Sequence, residues 1–183
     1  MVLSDENIRE RLEAPDGLQV QPLDLEDQLQ PASLDIRLGN EFAKPPSNLV
    51  IDPREGDIDY ETVTVGEEGY VVDPGEFLLG TTVETIDLPD DLIAKVEGRS
   101  SYGRLGIIIH ATAGFIDAGF AGQVTLEISN LSNASVQLRP NTRVGQFVFH
   151  QLDTPSETPY DEKHDAKYQG QEGPVGSKVN LDR

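Results

Sequence analysis

The opening residues carry one helical stripe. Ile8 and Leu12 recur at helical spacing behind Ser4, which is placed to cap a first turn holding Asp5 and Glu6, where the helix dipole favours anions. Leu3 and Ile8 are spaced as a hydrophobic staple, and Pro15 and Gly17 end the pattern. Beyond that point the period changes. Short apolar runs broken by Gly, Pro, Asn and Asp predict strands and turns. In SLDIRLG, Leu34, Ile36 and Leu38 fall on one face and Asp35 and Arg37 on the other. VTVG, YVVDPGEFLLGTTVETIDL, IAKVEG, GIIIHATAG, GQVTLEISN, VQLRPN and VGQFVFHQL follow at short intervals, with loops at PPS and DPREGD. This predicts a mainly β fold, an antiparallel barrel or jelly roll with a short N-terminal helix. No helical pattern recurs between the strands, which argues against a Rossmann arrangement.

At 183 residues the chain has the size of a single domain spanning 1–183. Its 33 Asp and Glu against 14 Lys and Arg give a net charge of −19, which excludes nucleic-acid binding through a general basic surface and argues against anionic membranes. The acids are dispersed along the chain, a pattern that favours a surface adapted to high salt over one built for a cationic partner. Cysteine is absent, which removes disulfides, thiol nucleophiles and Cys-ligated zinc. MVLSDENIRERLEA has no apolar signal core and no run approaches a membrane span, so a cytoplasmic location is expected. The stretch 154–183 is polar and Gly-rich. It reads as a disordered tail or as a segment ordered only by a ligand or a neighbouring subunit.

Three stretches hold candidate chemistry. GRSSYGRLG, 98–106, has Arg104 and Leu105 where a phosphate loop needs Lys and Ser or Thr, and strand-like GIIIH follows it, so a Walker reading fails. What remains is a turn with two arginine forks and two hydroxyls, either an anion site or a surface turn with a salt bridge. In HATAGFIDAGFAGQVTLEISN, Asp117 lies in a Gly-bounded turn, and Thr125, Glu127 and Ser129 point away from Val124, Leu126 and Ile128. A carboxylate there, set in a poorly solvated niche, suits proton transfer; the plain alternative is an outward-facing strand Glu. KYQGQEGPVGSK, 167–178, has the composition of a lid closing over a ligand, or of a flexible tail. His110, His150 and His164 show no metal-ligand spacing, and the HxE with PCxxC of zinc deaminases is missing.

Taken in order, QPASLDIRLGNEF, VEGRSSYGRLGIIIHATAGFIDAGFAGQVTLEISN, RVGQFVF and PYDEKHDAKYQGQEGP resemble the dCTP deaminase branch of the trimeric dUTPase superfamily. The resemblance covers the chain from about Gln30 onward together with the N-terminal helix. It implies a distorted β-barrel or jelly roll of the dUTPase-like β-clip type, assembled as a homotrimer with active sites at subunit interfaces. It also implies dCTP or dUTP as ligands, and Mg²⁺ bound through the triphosphate and water rather than by protein ligands. Carried over by position, Arg99, Ser100, Ser101, Tyr102, Gly103 and Arg104 form the loop at the phosphates and reacting centre. Asp117 then contacts the sugar region, and Thr125, Leu126 and Glu127 line the pyrimidine pocket. Gln146, Tyr160, Lys167 and Gln171 complete nucleotide binding, with 154–183 as a lid. Glu127 matches the family's catalytic acid and base.

Deamination without Cys-bound zinc requires a carboxylate to take the proton of a water attacking cytosine C4 and return it as ammonia leaves, with Ser100 orienting the water and Arg104 supporting the reacting end. Gly114 and Phe115 stand where strictly dUTP-releasing deaminases tend to carry His and Arg. They resemble the bifunctional members, which also cleave the triphosphate and supply dUMP for dTMP synthesis, with Asp117 orienting the second water. The alternatives are a deaminase releasing dUTP, a dUTPase only, or a non-catalytic nucleotide-binding trimer.

Overall fold

The computed structural model describes residues 1–48, 50–52, 56 and 58–181. Helix α1 (Asp5–Glu13) begins where Ser4 Oγ accepts the Asn7 N–H at 3.4 Å, and Leu3 and Ile8 are both buried, as the staple requires. β1 (Gln19–Gln21), the short α2 (Leu25–Gln28), β2 (Leu29–Gln30), β3 (Ser33–Arg37), β4 (Glu41–Lys44), β5 (Glu61–Thr64) and β6 (Tyr70–Val72) follow. Then come β7 (Phe77–Asp87), β8 (Leu92–Gly98), the single turn α3 (Ser100–Gly103), β9 (Ile107–Ile108) and β10 (Phe115–Ile116). The last strands are β11 (Ala121–Asn130), β12 (Val136–Leu138) and β13 (Arg143–Gln151). The loop expected at DPREGD falls largely outside the described residues.

One sheet runs β5-β4-β7-β11-β9, with β1 also on β7; a second runs β10-β8-β13-β3-β2; β12 and β6 form a separate ribbon. Every ladder is antiparallel. The expected barrel is therefore corrected to two open sheets, since among the described residues neither sheet closes on itself. The two share one core, to which Ile36, Phe42, Leu78, Leu126, Ile128, Phe147 and Phe149 contribute fully buried side chains. No helix among the described residues is long and apolar enough to cross a membrane.

β11 alternates as its sequence predicts, with Val124, Leu126 and Ile128 buried and Gln123, Thr125, Glu127 and Ser129 half-exposed. β3 does not. Ser33 and Asp35 are buried along with Leu34 and Ile36, because the polar face of β3 is covered as well as its apolar one. YVVDPGEFLLGTTVETIDL divides at a turn where Glu76 N–H bonds the Asp73 carbonyl, and only Ile107 and Ile108 of GIIIHATAG pair as a strand. At the opposite end, Arg11 forms an ion pair with Asp91, which also accepts from Gln151 at 2.8 Å, fastening α1 to the ends of β8 and β13.

Candidate active site

The site is built on the half-exposed face of β11. Glu127 lies opposite Leu79 of β7, and its Oε2 accepts the backbone N–H groups of Ala111, Thr112 and Ala113 at 2.9, 2.9 and 3.4 Å. Three successive amides aimed at one oxygen form an anion-holding nest. Its far end is tied to β8, where Val96 N–H donates to the Gly114 carbonyl at 2.8 Å. A side chain at Gly114 has nowhere to go. A Cβ there would lie 2.8 Å from His110 Cε1 and 3.0 Å from the Val96 carbonyl oxygen.

Glu127 faces a cavity of about 500 Å³ that Thr125, Asp117, Phe115, Tyr160 and Gln171 also line. Phe77, Leu79, Phe120 and Val124 supply apolar wall, as do Tyr60 and Tyr168. The walls are largely apolar, while the carboxylate itself is half-exposed and held by amides. Asp117 is exposed at the end of β10 and Phe115 is 55% exposed beside it. Phe120 and Tyr160 meet edge to face at 5.8 Å.

The C-terminal stretch lies along β11 and closes one side of this cavity with Gln171, Val175, Gly176 and Ser177. Gln123 N–H donates to the Gln171 carbonyl at 2.9 Å, and Gln171 Nε2 to the Gln123 carbonyl at 2.7 Å. Gly173 N–H reaches Gln123 Oε1 at 2.8 Å and Val175 N–H reaches Thr125 Oγ1 at 3.2 Å. Gly122 permits this approach: its φ is +147° and a Cβ would sit 3.0 Å from both the amide nitrogen and the carbonyl oxygen of Gln171. Tyr160 Oη accepts the Tyr168 N–H at 3.1 Å, which fixes the entry to the strap.

The arginine turn lies apart from this cavity. None of Arg99, Ser100, Ser101, Tyr102, Gly103, Arg104 or Gln146 lines it. Ser100, Ser101, Gly103 and Arg104 are exposed on α3 and its cap, and Tyr102 donates from Oη to Thr142 Oγ1 at 3.3 Å. Arg99 Nη1 stands 3.1 Å from Asp35 Oδ2, and Arg143 Nη1 stands 3.5 Å from the same oxygen. Burial pushes the Asp35 carboxyl above its ordinary range, and the two guanidiniums oppose that shift. Ser33 Oγ donates to Gln146 Oε1 at 2.6 Å on the strand paired with Asp35. Lys167 lies outside the cavity lining, and its carbonyl accepts from Lys178 Nζ. Leu126 turns its side chain into the core, leaving only backbone to offer a ligand.

One chain therefore brings together Phe115, Asp117, Thr125, Glu127, Tyr160 and Gln171, and holds Arg99 with Gln146 in a second cluster. Sequence reasoning missed Tyr60, Phe77 and the amides of 111–113. A lone aromatic in a loop and unremarkable backbone groups carry no signal until the chain is folded.

The chain belongs to the dCTP deaminase-like family, whose model matches residues 2–152. Among particular proteins, it is 49% identical over 188 residues to the dUMP-forming dCTP deaminase of Dictyoglomus turgidum, covering 100% of this chain and 96% of that protein. It is 52% identical over 190 residues to the dCTP deaminase of Haloarcula marismortui, covering 100% and 97%. The dUMP-forming dCTP deaminase of Halobacterium salinarum is 48% identical over 190 residues, with coverage of 100% and 97%. Among solved structures, 2'-deoxycytidine 5'-triphosphate deaminase from Agrobacterium tumefaciens superposes with a TM-score of 0.63 at 31% identity over 81% of this chain. This chain spans 47% of that one, about half its length. A dUTPase from phage phi11 of S. aureus, solved in work on a structural Mg(II) ion, shares the fold at a TM-score of 0.51 and 17% identity, covering 76% of this chain and 93% of its own.

Proposed function

We propose that the protein deaminates dCTP and cleaves the resulting triphosphate, so that dCTP and two waters give dUMP, ammonia and diphosphate. The observation that carries this reading is Glu127, clamped at Oε2 by three amides in a cavity it shares with Asp117. Its Oε1 has no hydrogen bond among the described residues, which leaves that oxygen for a water or the base. Water adds at C4 of cytosine as Glu127 takes one of its protons and passes it to N3; the proton of the new C4 hydroxyl then moves to the amino group, so the C4–N bond breaks, a C4 carbonyl forms and ammonia leaves. The backbone of 125–127 reads the pyrimidine edge, with Thr125 and Leu126 flanking Glu127. In the second reaction Asp117 orients a water toward the α-phosphorus; the bond to the bridging oxygen breaks and diphosphate departs.

Arg99, Ser100, Ser101, Tyr102, Gly103, Arg104 and Gln146 act at the phosphates and the reacting centre from a neighbouring copy in a homotrimer. Supporting this are the exposure of Ser100, Ser101 and Arg104, which have no side-chain partner among the described residues, and exposed apolar residues close by, Leu105 at 54% and Leu131 at 71%. Tyr160, Lys167 and Gln171 belong to the closing segment 154–183. The relatives' names support dCTP as substrate, and the name dUMP-forming in two of the three supports the cleavage step.

Magnesium fits one mode of binding. Among the described residues no three His, Cys, Asp or Glu side chains gather as a metal cage, whereas guanidiniums and hydroxyls of the arginine turn suit the phosphates that would carry the ion in. When bound with the triphosphate and water, Mg²⁺ neutralises phosphate charge.

The test is incubation with dCTP and Mg²⁺ in molar KCl, separating dUTP, dUMP and diphosphate. The reading expects dUMP and diphosphate in equal amounts. Accumulation of dUTP alone removes the cleavage step, and the absence of any deaminated product removes the reading.

A further inference from the structure

Outside the Glu127 cavity, two guanidiniums converge on a carboxylate that the proposed chemistry does not use. Asp35 is 2% exposed, and one of its oxygens lies within salt-bridge reach of both Arg99 and Arg143. Each arginine is engaged there through Nη1; Arg143 Nη1 also donates to the Asp27 carbonyl and stands 3.4 Å from Asp27 Oδ1. Nε and Nη2 of both arginines make no hydrogen bond among the described residues, and both side chains are about a third exposed, at 32% and 33%. Gln146, directly opposite Asp35 in the β13 and β3 ladder, has its oxygen occupied by Ser33 and its amide nitrogen without a partner among those residues. The result is a partly exposed cluster of N–H donors on a chain whose net charge is −19.

We infer that Asp35 is a positioning residue that aims Arg99 and Arg143 as a pair, making Arg143 a further binding residue for the triphosphate. A buried carboxylate gripping one corner of each guanidinium fixes two long side chains that would otherwise lose rotamer freedom on binding, and leaves the opposite edges for phosphate oxygens. Neither arginine touches the cavity that holds Glu127, so the pair acts on the phosphate end of the nucleotide and not on the base.

The inference rests on the nucleotide reading above and is tested by binding as well as turnover. Equilibrium binding of dCTP and of dCMP is measured at fixed salt for the wild type, Arg143→Gln, Arg143→Lys and Asp35→Asn, with thermal unfolding alongside. Loss of a charge-assisted contact in Arg143→Gln should weaken dCTP about ten- to hundredfold and leave dCMP within about twofold. Arg143→Lys should recover part of that loss, because the charge returns without the fork. Asp35→Asn should raise KM for dCTP with kcat little changed. Equal losses for dCTP and dCMP, or no loss for dCTP in Arg143→Gln, overturn the inference. A wild type that binds dCTP but never deaminates it overturns the functional reading instead.

Discussion

Gly114 carries no reacting group, yet the placement of Glu127 depends on it. Its carbonyl accepts from Val96, and the His110 ring and the Val96 oxygen occupy the space a side chain would need. Gly114→Ala must displace the ring or the loop, and with it the amides of 111–113 that hold Glu127 Oε2. Overpacking of this kind costs about 1–3 kcal/mol. The expected outcome is a melting temperature lowered by several degrees and a kcat reduced more than KM is raised, measured by thermal unfolding and steady-state kinetics. Unchanged unfolding together with unchanged kcat would mean the loop does not set the carboxylate.

At the scale of elements, α1 is held by Arg11 against Asp91 and Gln151. Chiefly through its hydrogen bond to Arg11, the Asp91 carboxyl is brought down from 3.8 to about 2. A depressed carboxyl stabilises the fold above its unfolded value, and that contribution disappears as pH falls from about 4 through 2. With both side chains about a quarter exposed, the contribution is about 1–2 kcal/mol at neutral pH. Urea unfolding across a pH series should find Asp91→Asn less stable by about 1 kcal/mol at pH 7, with most of that gap closed near pH 2. A gap that persists undiminished at pH 2 would point to packing instead. These elements also divide what the sequence discloses from what it hides. The alternation of β11 and the capped, stapled α1 are local patterns, so Glu127's face and the helix bounds could be read directly. Asp35 reads as an ordinary polar position because the residues that pair with it, Arg99, Arg143 and Gln146, come from segments far along the chain. The register in which the C-terminal strap docks was hidden for another reason. Its docking on β11 runs through backbone groups and the side chains of Gln171, Gln123 and Thr125, which leave no hydrophobic signature. Tyr60 likewise joined the cavity from a loop with no motif around it.

Over the whole molecule, net charge and the proposed assembly each carry a prediction. A net charge of −19 opposes compaction, and raising salt from about 0.1 M to 1 M shortens the screening length from about 10 Å to about 3 Å. The melting temperature should therefore rise steadily between dilute buffer and molar KCl; a flat or falling series would remove the salt-adapted surface from the account. The homotrimer proposed above bears on catalysis, because the arginine turn does not line the carboxylate cavity of its own chain. Subunit mixing tests this most directly. Glu127→Gln and Arg104→Ala are each expected to be inactive when expressed alone. Chains of the two variants, mixed by co-expression, should rebuild about one intact site in four, because Glu127 of one copy would meet Arg104 of another. Recovery of roughly a quarter of wild-type dCTP deamination is the predicted result, and a mixture as inactive as its two components would contradict a site shared between copies.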